Sequence, residues 1–139
     1  MNLNAFMAQN ALPIENRKVK VSDRFLDESG QPIEWELRPL TNEEDRAIRQ
    51  ACTKRVPVPG KRNVFLPETN FNEYVLKSCV ASVVFPDLHD KDLQDSYGVM
   101  GAEALLERML IPGEYSNLSN AVQEINGFDL ELEVENAKN

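Results

Sequence analysis

Residues 92–128, DLQDSYGVMGAEALLERMLIPGEYSNLSNAVQEINGF, carry the strongest helical pattern of the chain. Apolar side chains recur at the i, i+3, i+4 spacing of one helix face in 102–110 and again in 115–125. Pro112 lies between these segments, where a proline ends one helix or begins the next. Asn126-Gly127 is a helix stop, with Phe128 placed for a Schellman motif. The stretch predicts two amphipathic helices whose apolar faces belong to a core.

Composition indicates one acidic globular domain spanning 1–139. The chain has 139 residues, of which 42% are hydrophobic and 27% charged. Its formal net charge of −8 argues against a nucleic-acid partner, because phosphate binding requires a basic surface. The sequence has no apolar run near the ~20 residues of a membrane span and no basic leader. We therefore expect a cytoplasmic protein with no membrane partner.

The first forty residues predict a terminal segment followed by a β-hairpin. Residues 1–13 favour either a short helix, over 2–12, or an arm that grips a partner. Within 14–40, segments 17–25 and 33–37 alternate apolar and polar residues, as strands do, around a turn-forming sequence. We expect antiparallel pairing, with lysines opposite glutamates and the face of Trp35 packed on helices.

The following part, 41–128, is predicted to be helical. Thr41 and Glu44 form a capping box for a helix to about Thr53, with Ala47, Ile48, Ala51 and Cys52 inward. Residues 73–85 predict the central buried helix, although their β-branched residues also allow a strand. Asp90 or Asp92 is expected to cap a short helix. The predicted class is α+β, mostly α, with the N-terminal hairpin packed on a bundle of about five short helices.

Two segments are left without regular structure by these patterns. Residues 54–70 predict an irregular loop, within which 64–66 favour a short edge strand. Its basic residues, Lys54, Arg55, Lys61 and Arg62, suit either a docking point or a solvated loop. The acidic tail 129–139 alternates apolar and acidic residues. Three interpretations remain open for it: a frayed end, an edge strand on the N-terminal hairpin, and a strand added to a partner's sheet.

Catalytic and metal-binding patterns are missing from the sequence. A single histidine, His89, excludes most triads and any His-rich metal site. Cys52 and Cys79 lack metal-ligand spacing and suit reduced, structural thiols. Acids within 87–95 fit turn formation and helix capping better than a calcium loop. We therefore predict no enzyme, no metal and no cofactor.

Several segments, taken in order, resemble the XkdN-like tail assembly chaperones of contractile-tailed phages and defective prophages. They are DRFLDESGQPIEWELRPLTNEED, CTKRVPVPGK, LQDSYGVMGAEALLERMLIPGEY and VQEINGFD. The resemblance covers roughly 15–129, and QDSYGVMGAEALL and EINGF are its most specific pieces. It implies a chaperone that binds the tape-measure protein, keeps it soluble in the bacterial host cell during tail tube assembly, and is absent from the mature virion.

Two other functions are alternatives to this one. A structural tail or connector subunit would remain in the particle, and a metal-dependent enzyme would use the 87–95 acids. The tail tube protein is a second candidate partner. Candidate partner-binding residues are Leu3, Phe6, Met7, Lys54, Arg55, Lys61, Arg62, Leu130, Leu132 and Val134.

Overall fold

Five helices and five strands follow one another in the computed structural model, which describes residues 2–128. The helices are α1 (Asn42–Ala51), α2 (Phe71–Ser82), α3 (Lys91–Ser96), α4 (Ala102–Met109) and α5 (Pro112–Ile125). The strands are β1 (Arg17–Val19), β2 (Trp35–Leu37), β3 (Thr53–Pro57), β4 (Phe65–Thr69) and β5 (Val83–Phe85). Small antiparallel sheets accompany the helices, and the predicted α+β class is confirmed.

The predicted N-terminal hairpin forms, with strands shorter than the predicted 17–25 and 33–37, and it gains a third strand. β1 pairs antiparallel with β2, with Lys18 opposite Glu36. β5 pairs with the other edge of β2, so the strand order is β1-β2-β5. The helix predicted over 73–85 therefore ends three residues early. Val83 and Val84 favour extended backbone, and Phe85 precedes a proline, which disfavours the helical conformation.

α2 has the central position predicted for it, and α4 and α5 contribute to the core as predicted. α2 packs on α1, α4 and α5, so the two amphipathic helices rest on it. Of the predicted inward side chains, Tyr115 and Ala121 are half-buried, and the others are buried: Ala102, Leu105, Leu106, Met109, Leu110, Leu118, Val122 and Ile125. Trp35 and Leu37 of β2 join the same core. α5 ends in the predicted Schellman motif, in which the Phe128 amide donates to the Gln123 carbonyl oxygen at 3.0 Å.

The start of α1 is as predicted, but its inward face is not. The Thr41 hydroxyl accepts from the Glu44 amide at 3.1 Å, and the Glu44 carboxylate accepts from the Thr41 amide at 3.1 Å. Ala47 and Ala51 are exposed and Ile48 is half-buried. Cys52, which follows the helix, is buried. Alanine side chains bury too little apolar area to hold the helix face against the core.

The prediction of an irregular loop over 54–70 is wrong, because β3 and β4 form a second antiparallel hairpin there. Of the short strand favoured at 64–66, Phe65 and Leu66 lie in β4. Prolines obscured this pairing in the sequence. Gly60 and Asn63, with φ of 77° and 56°, supply the left-handed conformations of the turn.

The prediction of a terminal helix over 2–12 is also wrong. Only a 3-10 turn, Asn4–Phe6, forms there, and none of its residues is buried. A segment this short has no stable helix without a packing partner. The tail 129–139 lies outside the described residues. Within residues 2–128, no helix is long and apolar enough to cross a membrane.

Candidate functional site

A groove of about 420 Å³ lies between α1, α2 and α5. Its apolar lining comes from Leu40, Phe71, Val75, Cys79, Val122 and Phe128. Phe71 and Phe128 are 66% and 46% exposed, so both rings are available at the surface. Deeper in the lining, the hydroxyl of Ser78 is buried and has no hydrogen-bond partner among the described residues. The groove thus combines these apolar side chains with polar ones, among them the buried hydroxyl of Ser78.

Polar side chains in the lining of this groove form hydrogen bonds with one another. The Tyr74 hydroxyl donates to the carboxylate of Asp45. Arg49 Nη2 lies 3.3 Å from both Asp45 Oδ2 and the Tyr74 hydroxyl oxygen. The Arg49 guanidinium also lies 4.9 Å from the centre of the Tyr74 ring. Burial, reinforced by the bond to Asp45, raises the pKa of Tyr74. The phenol stays a neutral donor, and this cluster leaves no unpaired charge to attract a charged ligand.

The side chain of Asn126 fixes the end of α5 beside the groove. Its Oδ1 accepts from the Leu40 amide at 2.6 Å, and its Nδ2 donates to the Val122 carbonyl oxygen at 2.8 Å. These bonds tie α5 to the segment that enters α1. The groove is thus held by hydrogen bonds between distant parts of the chain, which keeps its walls in place before any partner binds.

The second exposed surface is the β3–β4 hairpin, hereafter the basic hairpin (53–69). Val56 stands opposite Leu66, and the Val58 amide donates to the Val64 carbonyl oxygen at 2.9 Å. These four side chains share one face, because opposed residues of paired strands point to the same side. Leu66 is 58% exposed, and every residue of β4 is exposed.

All four predicted basic residues belong to the basic hairpin, and all are exposed. Lys54 and Arg55 lie in β3, and Lys61 and Arg62 lie in the turn. Within the described part of the chain, none of the four forms a salt bridge. The guanidinium of Arg55 lies 5.9 Å from the centre of the Phe65 ring. The basic hairpin therefore carries both an apolar face and basic side chains that have no acidic partner among the described residues.

The other predicted contact residues are at the chain ends. Leu3, Phe6 and Met7 are exposed in the N-terminal segment. Leu130, Leu132 and Val134 lie outside the described residues. Sequence reasoning missed the groove, because its lining comes from three helices that are separated along the chain. Within 87–95, Asp90 caps α3 and Asp87 accepts from the His89 amide at 3.0 Å.

A buried carboxylate at the start of α5 was also missed. Glu114 Oε1 accepts from Arg24 Nη2 at 2.6 Å and from the Ile111 amide at 3.0 Å, while Oε2 accepts from Arg24 Nε at 2.9 Å and from the Ser22 hydroxyl. The hydrogen bonds from Arg24 hold the pKa of Glu114 at about 2. The position of Glu114, two residues after Pro112, was the available signal. Its role is to anchor the segment after β1.

Fold and surface together define a small α+β protein with an open apolar groove and a basic projection. The model of the phage XkdN-like tail assembly chaperone family matches residues 3–138, and the chain belongs to this family. The resemblance in the sequence is thereby confirmed.

Two relatives come from Bacillus subtilis strain 168. The phage-like element PBSX protein XkdN is 32% identical over 141 residues, covering 99% of this chain and 94% of that protein. The protein YqbN is 30% identical over 133 residues, covering 95% and 88%. A crystal structure of YqbN is similar with a TM-score of 0.78 and 25% identity, covering 93% of this chain and 98% of that chain.

Proposed function

We propose that this chain is a non-enzymatic chaperone that binds the tape-measure protein in the host cytoplasm and keeps it soluble while the tail tube assembles. It leaves before the virion is complete. The observation that carries the proposal is the groove between α1, α2 and α5, whose apolar lining includes the exposed rings of Phe71 and Phe128. The family supplies the tail-assembly context.

The chemistry of the groove suits one stripe of an amphipathic helix. Apolar helical side chains at i, i+3 and i+4 bind to grooves of this kind, and exposed aromatic rings provide the anchoring contacts. Because Asp45 and Arg49 already pair with each other, recognition depends on apolar contact rather than on the charge of the client. The buried Ser78 hydroxyl offers one polar contact inside.

The charge of the chain supports the same role. A net charge of −8 adds solubility to a complex in which apolar client surface would otherwise aggregate. A chaperone of this kind has to bind many similar stripes rather than one sequence. An apolar groove whose neighbouring charges are already paired provides that tolerance.

Co-expression with the tape-measure protein of the same phage tests the proposal. We expect soluble tape-measure protein with the native chain, and loss of most of it with Phe71→Ser combined with Phe128→Ser. Leu12→Ser combined with Met100→Ser is the matched control, because these side chains are 92% and 91% exposed and neither lines the groove.

Two results would contradict the proposal. Tape-measure protein that is equally soluble without this chain would remove the need for a chaperone. Stoichiometric recovery of the chain from purified particles by mass spectrometry would favour a structural tail or connector subunit instead.

A further inference from the structure

We propose that the client site continues from the groove onto one face of the basic hairpin, where Arg55 binds an acidic residue of the client helix. This inference deepens the proposed function and rests on it, because it concerns the same helix that occupies the groove. Three features carry it: the groove and this face share Thr69, Arg55 lies beside an exposed ring, and its charge has no acidic partner among the described residues.

The base of the basic hairpin is part of the wall of the groove. Thr69 lines the groove and is the last residue of β4. It pairs with Thr53, and the two hydroxyl oxygens lie 2.8 Å apart. The Thr53 hydroxyl also donates at 2.7 Å to the carbonyl oxygen of Arg49, which is another residue of the groove lining. A helix that lies in the groove can therefore extend directly over the hairpin.

The register of the strands puts Arg55 and Phe65 on the same face as Thr69. Paired residues share a face, and so do residues two positions apart along a strand. Arg55 pairs with Pro67, and Pro57 pairs with Phe65. Arg55 thus lies one same-face step from the Thr69 pair, about 7 Å along the strands, and one turn of an α-helix rises about 5.4 Å. A client helix that passes Thr69 reaches Arg55 within about two turns.

The guanidinium of Arg55 is exposed in a position that suits a carboxylate. It lies 5.9 Å from the centre of the Phe65 ring, which is 45% exposed. A planar guanidinium beside an aromatic ring keeps its paired N–H groups available for a carboxylate. Its cross-strand neighbour, Pro67, carries no charge, and Arg55 forms no salt bridge within residues 2–128. An acidic side chain of the client supplies the missing partner.

Charge preference therefore enters only beyond the edge of the groove. Inside it, Asp45 and Arg49 pair with each other. The segment 53–69 holds four basic residues and one acidic residue, in a chain whose net charge is −8. Lys54 points to the other face of the hairpin, where the acidic Glu68 stands opposite it. Arg55 is thus the basic residue of β3 on the groove side.

Peptide binding by the full chain, followed by fluorescence anisotropy, tests this assignment. The probes are two helical peptides of about 25 residues, or about seven turns, with the same leucine stripe. The two turns at each end carry glutamate at the polar positions in one peptide and lysine in the other, so that either orientation presents them to the hairpin.

We expect Arg55→Glu to weaken binding of the glutamate peptide about fivefold at low salt and to strengthen binding of the lysine peptide. Lys54→Glu is the matched control, because it makes the same change in net charge at a neighbouring exposed residue on the other face. It should alter either affinity less than about twofold, and salt of about 1 M should remove most of the Arg55 effect.

Two outcomes would overturn the inference while leaving the groove as the client site. One is an equal effect of Arg55→Glu and Lys54→Glu on the glutamate peptide, which would mean that charge acts at long range rather than at this face. The other is self-association of the native chain that Arg55→Glu abolishes, which would assign the face to a second copy.

Failure of the proposed function gives a different pattern. The native chain would then bind neither peptide, or Phe71→Ser combined with Phe128→Ser would leave both affinities unchanged. Either result would also remove the basis of this inference, since it places the client helix in the groove first.

Discussion

The junction of α4 and α5 and the basic hairpin differ in how they use charge and apolar surface. At the junction, Leu105 and Leu118 are fully buried, and the Glu114 carboxylate accepts four hydrogen bonds. In the basic hairpin, Leu66 is exposed and Arg55 has no acidic partner among the described residues. Buried apolar and hydrogen-bonded charged groups are concentrated in the first region, and exposed apolar and basic groups in the second.

The two regions differ because their contacts join residues at different separations along the chain. The junction is closed by residues far away in sequence, since Ser22 and Arg24 bind Glu114 across some ninety positions. The basic hairpin pairs mainly with itself, and a two-stranded hairpin gains little stability alone. A region built from local contacts can change or bind without unfolding the core.

The largest expected effect is on core packing. Leu105→Ala should lower the free energy of unfolding by about 2–5 kcal/mol, because it leaves a cavity where the side chain is fully buried. Leu66→Ala, the same change in the basic hairpin, should cost less than about 0.5 kcal/mol. Urea denaturation measures both. Equal losses would show that the hairpin belongs to the cooperative core.

A smaller loss is expected at the buried carboxylate. Glu114→Gln should cost roughly 1–3 kcal/mol, because it removes charge-assisted hydrogen bonds from Arg24 and leaves donors incompletely paired. Glu124→Gln, on the same helix but at an exposed ion pair with Arg17, is the control and should cost less than about 0.5 kcal/mol. Denaturant midpoints of both variants provide the measurement. Indistinguishable midpoints would mean that Glu114 does not anchor the segment after β1.

Acid should weaken the same anchor. The folded-state pKa of Glu114 is lowered from 4.5 to about 2, chiefly by the hydrogen bond from Arg24, and that of Glu44 is lowered to about 2 by Arg38. A carboxylate whose pKa is lower in the folded state than in the unfolded state stabilises the fold fully at any pH above its unfolded-state pKa. This stabilisation is lost as the pH falls towards the folded-state pKa. Stability should therefore decline from about pH 4.5 to about pH 2, with a shallower decline in Glu114→Gln. Parallel pH profiles of unfolding would contradict this assignment.

The helical part of the fold could be predicted because its signals are local. The Thr41 box, the Pro112 junction and the Gly127 stop each specify a helix end within a few residues. The two missed strand regions depend on partners that are distant or hidden. β5 forms because β2 lies beside it. β3 pairs with β4 although Pro57, Pro59 and Pro67 argued against pairing.

The two candidate surfaces divide in the same way. The basic residues of the hairpin could be identified, since a cluster of cations in an acidic chain is visible in sequence. The groove could not, because Leu40, Val75 and Val122 meet only after α1, α2 and α5 have packed. Burial of Glu114 was equally hidden, since Arg24 comes from a separate part of the chain.

The smallest expected effect tests whether the basic hairpin opens independently of the core. Thr69→Ala removes the hydroxyl contact with Thr53 at the hairpin base. The global free energy of unfolding should change by less than about 0.5 kcal/mol, because the contact is exposed. Exchange of the Val58 amide, which donates to the Val64 carbonyl oxygen, should nevertheless become several-fold faster, while that of Val122 in α5 stays the same.

The matched control is Ser96→Ala at the end of α3. It also removes an exposed hydroxyl contact, since the Ser96 hydroxyl lies 2.7 Å from the Leu93 carbonyl oxygen. This substitution should change the exchange of neither the Val58 amide nor the Val122 amide. Acceleration of Val58 and Val122 by the same factor in Thr69→Ala would show that hairpin and core open together. Acceleration confined to Val58 would place the hairpin at the low-stability end of the molecule, where a surface that exchanges partners is expected to lie.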